Sequence, residues 1–412
     1  MFVESIGAIL TGWVKTHLMD PSITLTFIGF EWLQPLPGNG MYYYYIGMGL
    51  MALAIMAGYY YQLACIGFGI MWTTVYLMQK SEYNNHYYLI ILLSFLMALV
   101  PAADNCSIDS RRKNFQNFSC PTWCILLFQV QIAIVYFYAG LNKLYPDWIS
   151  GQYMEVAMEG KKDYPYIGTI LNTHFVKTIL TYGGIFFDLF IVPALLYKRT
   201  RIAAFVILLI FHLSNSLIFQ IGIFPYTMIA ATVFYFPPDQ INNLFFKKAS
   251  RNFTVKPFQV PQQAFYIKIF ISMYLLIQVL LPTRPWFYPG NSHWSDEGHR
   301  MSWRMMLRSK SGTLFYKVKD QSGNEWIEDP HKYLTIYQVA SIAKQPDLIW
   351  QFAQTLNKEL NKKKIIHAKI YAYTQVRLNG RPPQPLIDPT VDLSSVRWNW
   401  LYHSEWILLL KE

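Results

Sequence analysis

Hydrophobic and polar positions follow two different rhythms along this chain, and the change of rhythm divides it. Up to residue 282 the apolar residues run in long stretches, at about 41–60, 62–79, 86–104, 123–141, 178–196, 203–219, 222–237 and 266–282. Stretches of that kind predict membrane-crossing helices, because a bilayer core is spanned by about 20 apolar residues in helical form. Several of the eight are shorter than that. The tight connections around Tyr60–Gln62 and Gln220–Pro225 suit broken or closely paired helices.

Ahead of them, residues 1–40 read as an interfacial segment of helix and loop closing on Glu31-Trp32-Leu33-Gln34-Pro35-Leu36-Pro37-Gly38. No basic start followed by an apolar run and a small-residue cleavage site is present, so no secretory signal peptide is expected. Beyond residue 282 the period shortens. Residues 312–319, the polar stretch 320–324 and Glu325-Trp326-Ile327 predict a β-hairpin around a turn. Residues 335–343 and 346–360 predict helices, the second carrying Leu348, Phe352, Leu356 and Leu360 along one side. Residues 365–378 predict another strand, entering the turn Asn379-Gly380-Arg381-Pro382-Pro383. The expected architecture is a polytopic α-helical membrane domain over 41–282, followed by a small extracytoplasmic α+β domain over 283–412.

Composition sharpens this division. The chain is 53% hydrophobic and only 14% charged, about half the charge of a soluble domain. The final 130 residues hold 18 of its 35 Lys and Arg and 12 of its 24 Asp and Glu. A net charge of +11 raises nucleic acid as a partner, but no basic cluster comes with a recognition motif. In a membrane protein the excess instead marks cytoplasmic loops. If all eight stretches cross, Arg111-Arg112-Lys113, Lys198-Arg199-Arg201 and Lys247-Lys248-Arg251 share the cytoplasmic side. Glu82, Lys143, Asp147 and the tail then face the lumen or exterior. The sequons at Asn105, Asn117 and Asn252 fall on the cytoplasmic side, away from glycosylation. This topology puts the N-terminus outside, which calls for an upstream helix. Cys65, Cys106, Cys120 and Cys124 have no CxxC spacing, and Cys120-Pro-Thr-Trp-Cys124 reads as a helix entry. There is no HExxH and no ligand-like histidine set, so no metal is expected.

Candidate chemistry lies where polar groups interrupt the apolar stretches. Lys143 follows the run 125–141, where a lysine is costly unless it anchors at the headgroups or does chemistry. An anchor beside Trp148 stays charged, whereas a base needs the free amine that burial favours. Asn84-Asn85-His86 opens the third stretch on the same side. A membrane histidine commonly hydrogen-bonds between helices, but two adjacent amides suggest an organised polar pocket. His212, Asn215 and Ser216 share one helical face, which must meet the bundle interior or a cavity. The polar, aromatic and basic segment 289–307 lies just past the last stretch, positioned either to roof such a site or simply to join two domains.

Residues 81–89 (SEYNNHYYL), 135–148 (VYFYAGLNKLYPDW), 212–224 (HLSNSLIFQIGIF), 303–307 (WRMML) and 378–389 (LNGRPPQPLIDP) together resemble the vitamin K-dependent gamma-glutamyl carboxylase family, from about residue 30 to the end. The resemblance implies a multi-pass integral membrane enzyme with no metal. It would lie in the endoplasmic reticulum membrane of a eukaryote or the cytoplasmic membrane of a bacterium, with the tail lumenal or external. Vitamin K hydroquinone would react with O2 to give the 2,3-epoxide, generating a base that takes the γ-hydrogen of a peptide glutamate, to which CO2 adds. The partners implied are a lipid-soluble quinone, a glutamate-containing peptide or protein and membrane lipid. Lys143 matches the lysine that deprotonates the hydroquinone, and His86 the histidine assigned to carboxylation. Asn85, His212 and Asn215 are the expected hydrogen-bonding groups for the quinone. No side chain is basic enough to take the glutamate proton directly, but a lysine amine can deprotonate a phenol-like hydroxyl.

Two departures bear on peptide recognition. The region after the last stretch is compact, with little room for the part that docks a propeptide in the animal enzymes. The tail also has no cysteine for the family's disulfide between membrane and lumenal parts. An epoxidase without carboxylation therefore stands as the alternative, and a noncatalytic membrane recruitment module as a third possibility.

Overall fold

The computed structural model describes residues 1–114, 120–245 and 264–411; Lys247, Lys248, Arg251 and the sequons at Asn117 and Asn252 lie outside the described residues. Among the described residues, six helical stretches are long and apolar enough to cross a membrane: Gly40–Ala57, Tyr61–Met78, Thr122–Leu141, His174–Leu196, Arg201–Phe219 and Phe265–Phe287. The other two expected spans are shorter, and proline is the reason in both. The helix Asn85–Leu99 has 15 residues and stops because Val100, which precedes Pro101, is extended at φ −102° and ψ 146°. Between 222 and 237 the helix Phe224–Ala231 passes into a 3-10 turn, Thr232–Tyr235, and ends at extended Phe236 before Pro237.

That short element still runs most of the way back along Thr122–Leu141. The rings of Phe234 and Phe128 stack at 4.5 Å, and the Tyr235 hydroxyl donates to the Gln129 carbonyl at 2.8 Å. On its other flank Thr122–Leu141 meets His174–Leu196 closely. A Cβ placed on Gly140 would lie 2.8 Å from the Leu189 side chain, so glycine sets the approach of the two helices.

The tail is a three-stranded antiparallel sheet in the order β2-β1-β3, formed by β1 Lys310–Lys319, β2 Glu325–Glu328 and β3 Lys369–Leu378. Tyr316 pairs with Glu328 on one side and Ala372 on the other, so the hairpin at 320–324 forms where the pattern places it. Strand β3 starts four residues later than residue 365, because Lys364 and His367 adopt φ of 65° and 56°, which a strand cannot contain. The helices Ile336–Ile342 and Pro346–Lys362 pack on the sheet, where Phe352 and Leu356 join Tyr316, Val318, Ile370 and Ala372 in one buried cluster.

Polar joints fasten this tail to the helical bundle. Leu25 is buried in the tail's core while its carbonyl accepts from the Lys80 amide at 2.6 Å, so the N-terminal segment threads between the two parts. Asp347, at the start of the helix Pro346–Lys362, pairs with buried Lys80 at 2.8 Å and with Arg300 at 2.6 Å. Burial disfavours the Asp347 anion, but Arg300 and Lys80 outweigh it and hold the carboxyl well below the usual range. Asp147, four residues past Lys143, takes both guanidinium nitrogens of Arg381 and the Asn379 amide, the latter at 2.8 Å.

Asp347→Ala leaves two cations without their carboxylate and is expected to destabilise the protein by about 3–5 kcal/mol, read as a lower unfolding temperature. Because the folded-state pKa of Asp347 is depressed, its contribution is complete above the ordinary aspartate range and lost as pH falls toward the folded value. Acid should therefore narrow the stability gap between the two proteins.

Candidate active site

Lys143 stands two residues past the end of Thr122–Leu141, and the chain turns there because Asn142 caps the helix. The Asn142 amide donates to the Ser302 carbonyl at 2.9 Å, pinning that corner to the post-membrane segment. From it the Lys143 side chain reaches back across the bundle to His174–Leu196. Its ammonium lies 2.5 Å from Asp188 Oδ2 and 3.3 Å from the Gly184 carbonyl. The lysine passes close by Gly184, where a Cβ would stand at ordinary contact distance, 3.4 Å from Lys143 Nζ and 3.5 Å from Trp148. The lysine also lies 5.1 Å from the Trp148 ring centre, with the indole held by the Thr181 carbonyl at 2.9 Å.

Lys143 is 7% exposed and Asp188 5%. The free amine expected from burial alone is thus replaced by a lysine–carboxylate pair. Ionised, the pair carries no net charge, which is how a buried lysine and a buried acid can occupy one apolar environment. Asp188 is the residue that sequence reasoning missed. It is the lone acid between 174 and 196, and an acid inside an apolar span demands a partner at its own depth.

The pair borders a cavity of about 90 Å³, room for several water-sized groups. His86, His212 and Asn215 line it with Lys143 and Asp188. Most of the remaining wall is apolar or aromatic, including Leu180, Phe211, Phe219 and Phe224. His212 makes a 2.7 Å hydrogen bond through Nε2 to the Tyr136 hydroxyl, and its Nδ1 has no protein partner. The Nδ1 of His86 is likewise unpartnered, and its ring packs 4.7 Å from that of Phe224. Of the three polar residues read as one face, His212 and Asn215 meet the cavity, whereas Ser216 bonds to Tyr226 at 3.1 Å.

Asn85 is outside the cavity wall. It accepts from the Tyr83 hydroxyl at 2.9 Å and donates to the Arg304 carbonyl at 3.1 Å, so its amide is engaged by protein on both ends. It ties the start of the His86 helix to the post-membrane segment. That segment does cover the site, but with Met305 and Met306 rather than with its charged groups. Arg304 binds Ser292 and His293, Asp296 takes Arg308 and Lys310, and Arg300 and Glu297 bind Asp347 and His403 outside the segment. The Asn379-Gly380 turn is a turn, with φ of 49° and 79°, and also a clamp. Its Asn379 side chain binds Asp147 and the Ser309 amide, both at 2.8 Å. Among the described residues, no group of three or more His, Cys, Asp or Glu is placed to hold a metal.

Residues 1–240 match the HTTM domain, and residues 263–412 match the lumenal domain of vitamin K-dependent gamma-carboxylase. No solved structure matches the chain. The two matches cover the helical bundle and the α+β tail, in an integral multi-pass membrane protein whose tail is of the extracytoplasmic kind.

The glycine contact next to the pair gives a direct test of its geometry. A methyl on Gly140 would collide with Leu189 and lie 3.1 Å from the Asp188 Cβ. Gly140→Ala should destabilise the bundle by about 1–3 kcal/mol, seen in thermal unfolding. Adding Leu189→Ala should restore part of the loss, giving a coupling energy in the double-mutant cycle rather than simple additivity.

Proposed function

The chain belongs to the vitamin K-dependent gamma-carboxylase family, and we propose that it couples oxygenation of vitamin K hydroquinone by O2 to carboxylation of a peptide glutamate by CO2. The observation that carries this is the Lys143–Asp188 pair on the wall of a largely apolar cavity at the mouth of a membrane bundle. A hydroquinone ring suits such a cavity, whose aromatic and aliphatic walls meet its faces while a few polar side chains address its hydroxyls. His86 and His212 each keep an unpartnered ring nitrogen, and Asn215 adds an amide to the same wall. Oxygenation of the bound hydroquinone to the epoxide supplies a base far stronger than any side chain, as removal of a glutamate γ-hydrogen requires.

The protein's own part is proton handling and exclusion of water. Lys143 takes the hydroxyl proton of the hydroquinone, with Asp188 beside it as the counter-charge. Lys143 acts from the deprotonated form of the pair, amine beside carboxylate at −1; taking the hydroxyl proton returns the pair to zero and leaves the substrate anion at −1. Charge is conserved within the cavity and none has to be drawn from solvent. His86 acts in the carboxylation half from another part of the wall. His212, oriented by Tyr136, and Asn215 hydrogen-bond the substrate oxygens. Asn85 positions His86 by holding its helix to the roof. Met305 and Met306 close the cavity on the tail side.

Purified protein supplied with reduced vitamin K, O2, labelled bicarbonate and a glutamate peptide should form epoxide and labelled peptide together. Lys143→Ala should cut both by about 10²–10⁴-fold, the range for loss of an acid–base group. His86→Ala should lose label while still making epoxide. Epoxide without label from the unaltered chain would leave an epoxidase, and neither product would leave a noncatalytic module. Asp188→Asn should depress epoxide formation with the protein still folded, since it removes the counter-charge and keeps the shape.

A further inference from the structure

We propose that residues 400–402 of the tail insert into the headgroup layer of the membrane in which the bundle is embedded, giving the extracytoplasmic domain its own lipid anchor. Trp400, Leu401 and Tyr402 are consecutive and exposed to 62%, 77% and 72%. Three large apolar side chains in a row on an aqueous domain are unusual unless something covers them. Their display is built rather than loose. The Asn399 side chain accepts from the Leu401 and Tyr402 amides at 3.1 and 3.2 Å, folding the turn. The far end is tied by buried Glu297, which binds His403 Nδ1 at 2.7 Å and the Ser404 amide at 3.1 Å. Trp398, by contrast, packs inward beside Trp350 and Trp406.

What covers the exposed three follows from their neighbours. The last span closes at Phe287, with Trp286 exposed to 51% and Phe287 to 82% on its outer side. Aromatic residues at the end of a membrane helix sit at the headgroup level. The very next residue, Tyr288, donates its hydroxyl to the Trp400 carbonyl at 3.0 Å. That bond sets the turn at the depth of the span's aromatic end, so the two exposed patches form one belt. A tryptophan and a tyrosine flanking a leucine suit that layer, with apolar bodies toward the acyl chains and polar edges toward water. The occupant is therefore lipid, continuous with the lipid already around the last helix. This inference is independent of the chemistry in the cavity.

The test is a depth measurement on the full chain in lipid nanodiscs. With the four native cysteines replaced by serine, a nitroxide is placed by Leu401→Cys, and reference labels by Phe287→Cys and Glu405→Cys. Collision with oxygen, which concentrates in lipid, is compared with collision with a water-soluble nickel complex. Position 401 should match 287 and exceed 405 severalfold in the oxygen-to-nickel ratio. A ratio at 401 equal to that at 405 overturns the proposal. So does exclusion of both reagents with dipolar broadening between labels, the sign of a second copy covering the turn. Tyr402→Cys reports on the same question if the 401 variant fails to fold.

Discussion

A lysine and an aspartate in contact inside an apolar bundle constrain everything around them. A buried cation and a buried anion each need a partner of opposite charge, so Lys143 and Asp188 each fix where the other must be. Their separation of 2.5 Å requires the helices Thr122–Leu141 and His174–Leu196 to approach closely, and Gly140 allows it. It also requires the corner at Asn142 to hold its shape, which is why that amide is bound to Ser302 of the post-membrane segment. A local demand for charge neutrality thus reaches the packing of two helices and the docking of the tail.

The tail is accordingly part of the site's construction. It holds Asp147 through Arg381 and Asn379, four residues from the lysine, and it receives Lys80 through Asp347 from just ahead of the His86 helix. Met305 and Met306 lie over the cavity because the stretch carrying them is fixed at Asn85, Asn142 and Tyr83. The bundle supplies the buried pair, while the post-membrane segment lays Met305 and Met306 over the cavity that the pair borders.

Much of this was legible in the sequence because the relevant physics is local. Long apolar stretches gave helices, the alternation at 312–319 gave β1, and the polar stretch 320–324 gave its turn. Polar residues interrupting apolar runs marked the cavity: Lys143, His86, His212 and Asn215 all line it. Where the expectation failed, the cause was also physical. Pro101 and Pro237 shorten two elements that hydropathy alone extends, and left-handed residues at 364 and 367 delay β3. Asn85 looked like a ligand group because a buried amide needs partners, but hydropathy does not reveal that Tyr83 and Arg304 already satisfy it.

Asp188 shows where reading along a chain stops and reasoning across it has to begin. From Ile179 to Leu196 its span carries no other charged residue, so the acid looks like noise when the helix is judged by its average. Judged by what a carboxylate must find, it is a statement that a cation lies at the same level on a neighbouring helix, and Lys143 is the cation the topology brings there. The pairing also changes what the lysine can do. In the proposed proton transfer, a lone buried amine would become a full positive charge balanced by the substrate anion alone. With Asp188 in contact, that charge also has a fixed counter-charge within the protein. The carboxylate that opposes a free amine is also the group that would balance the ammonium formed when Lys143 serves as the proposed base.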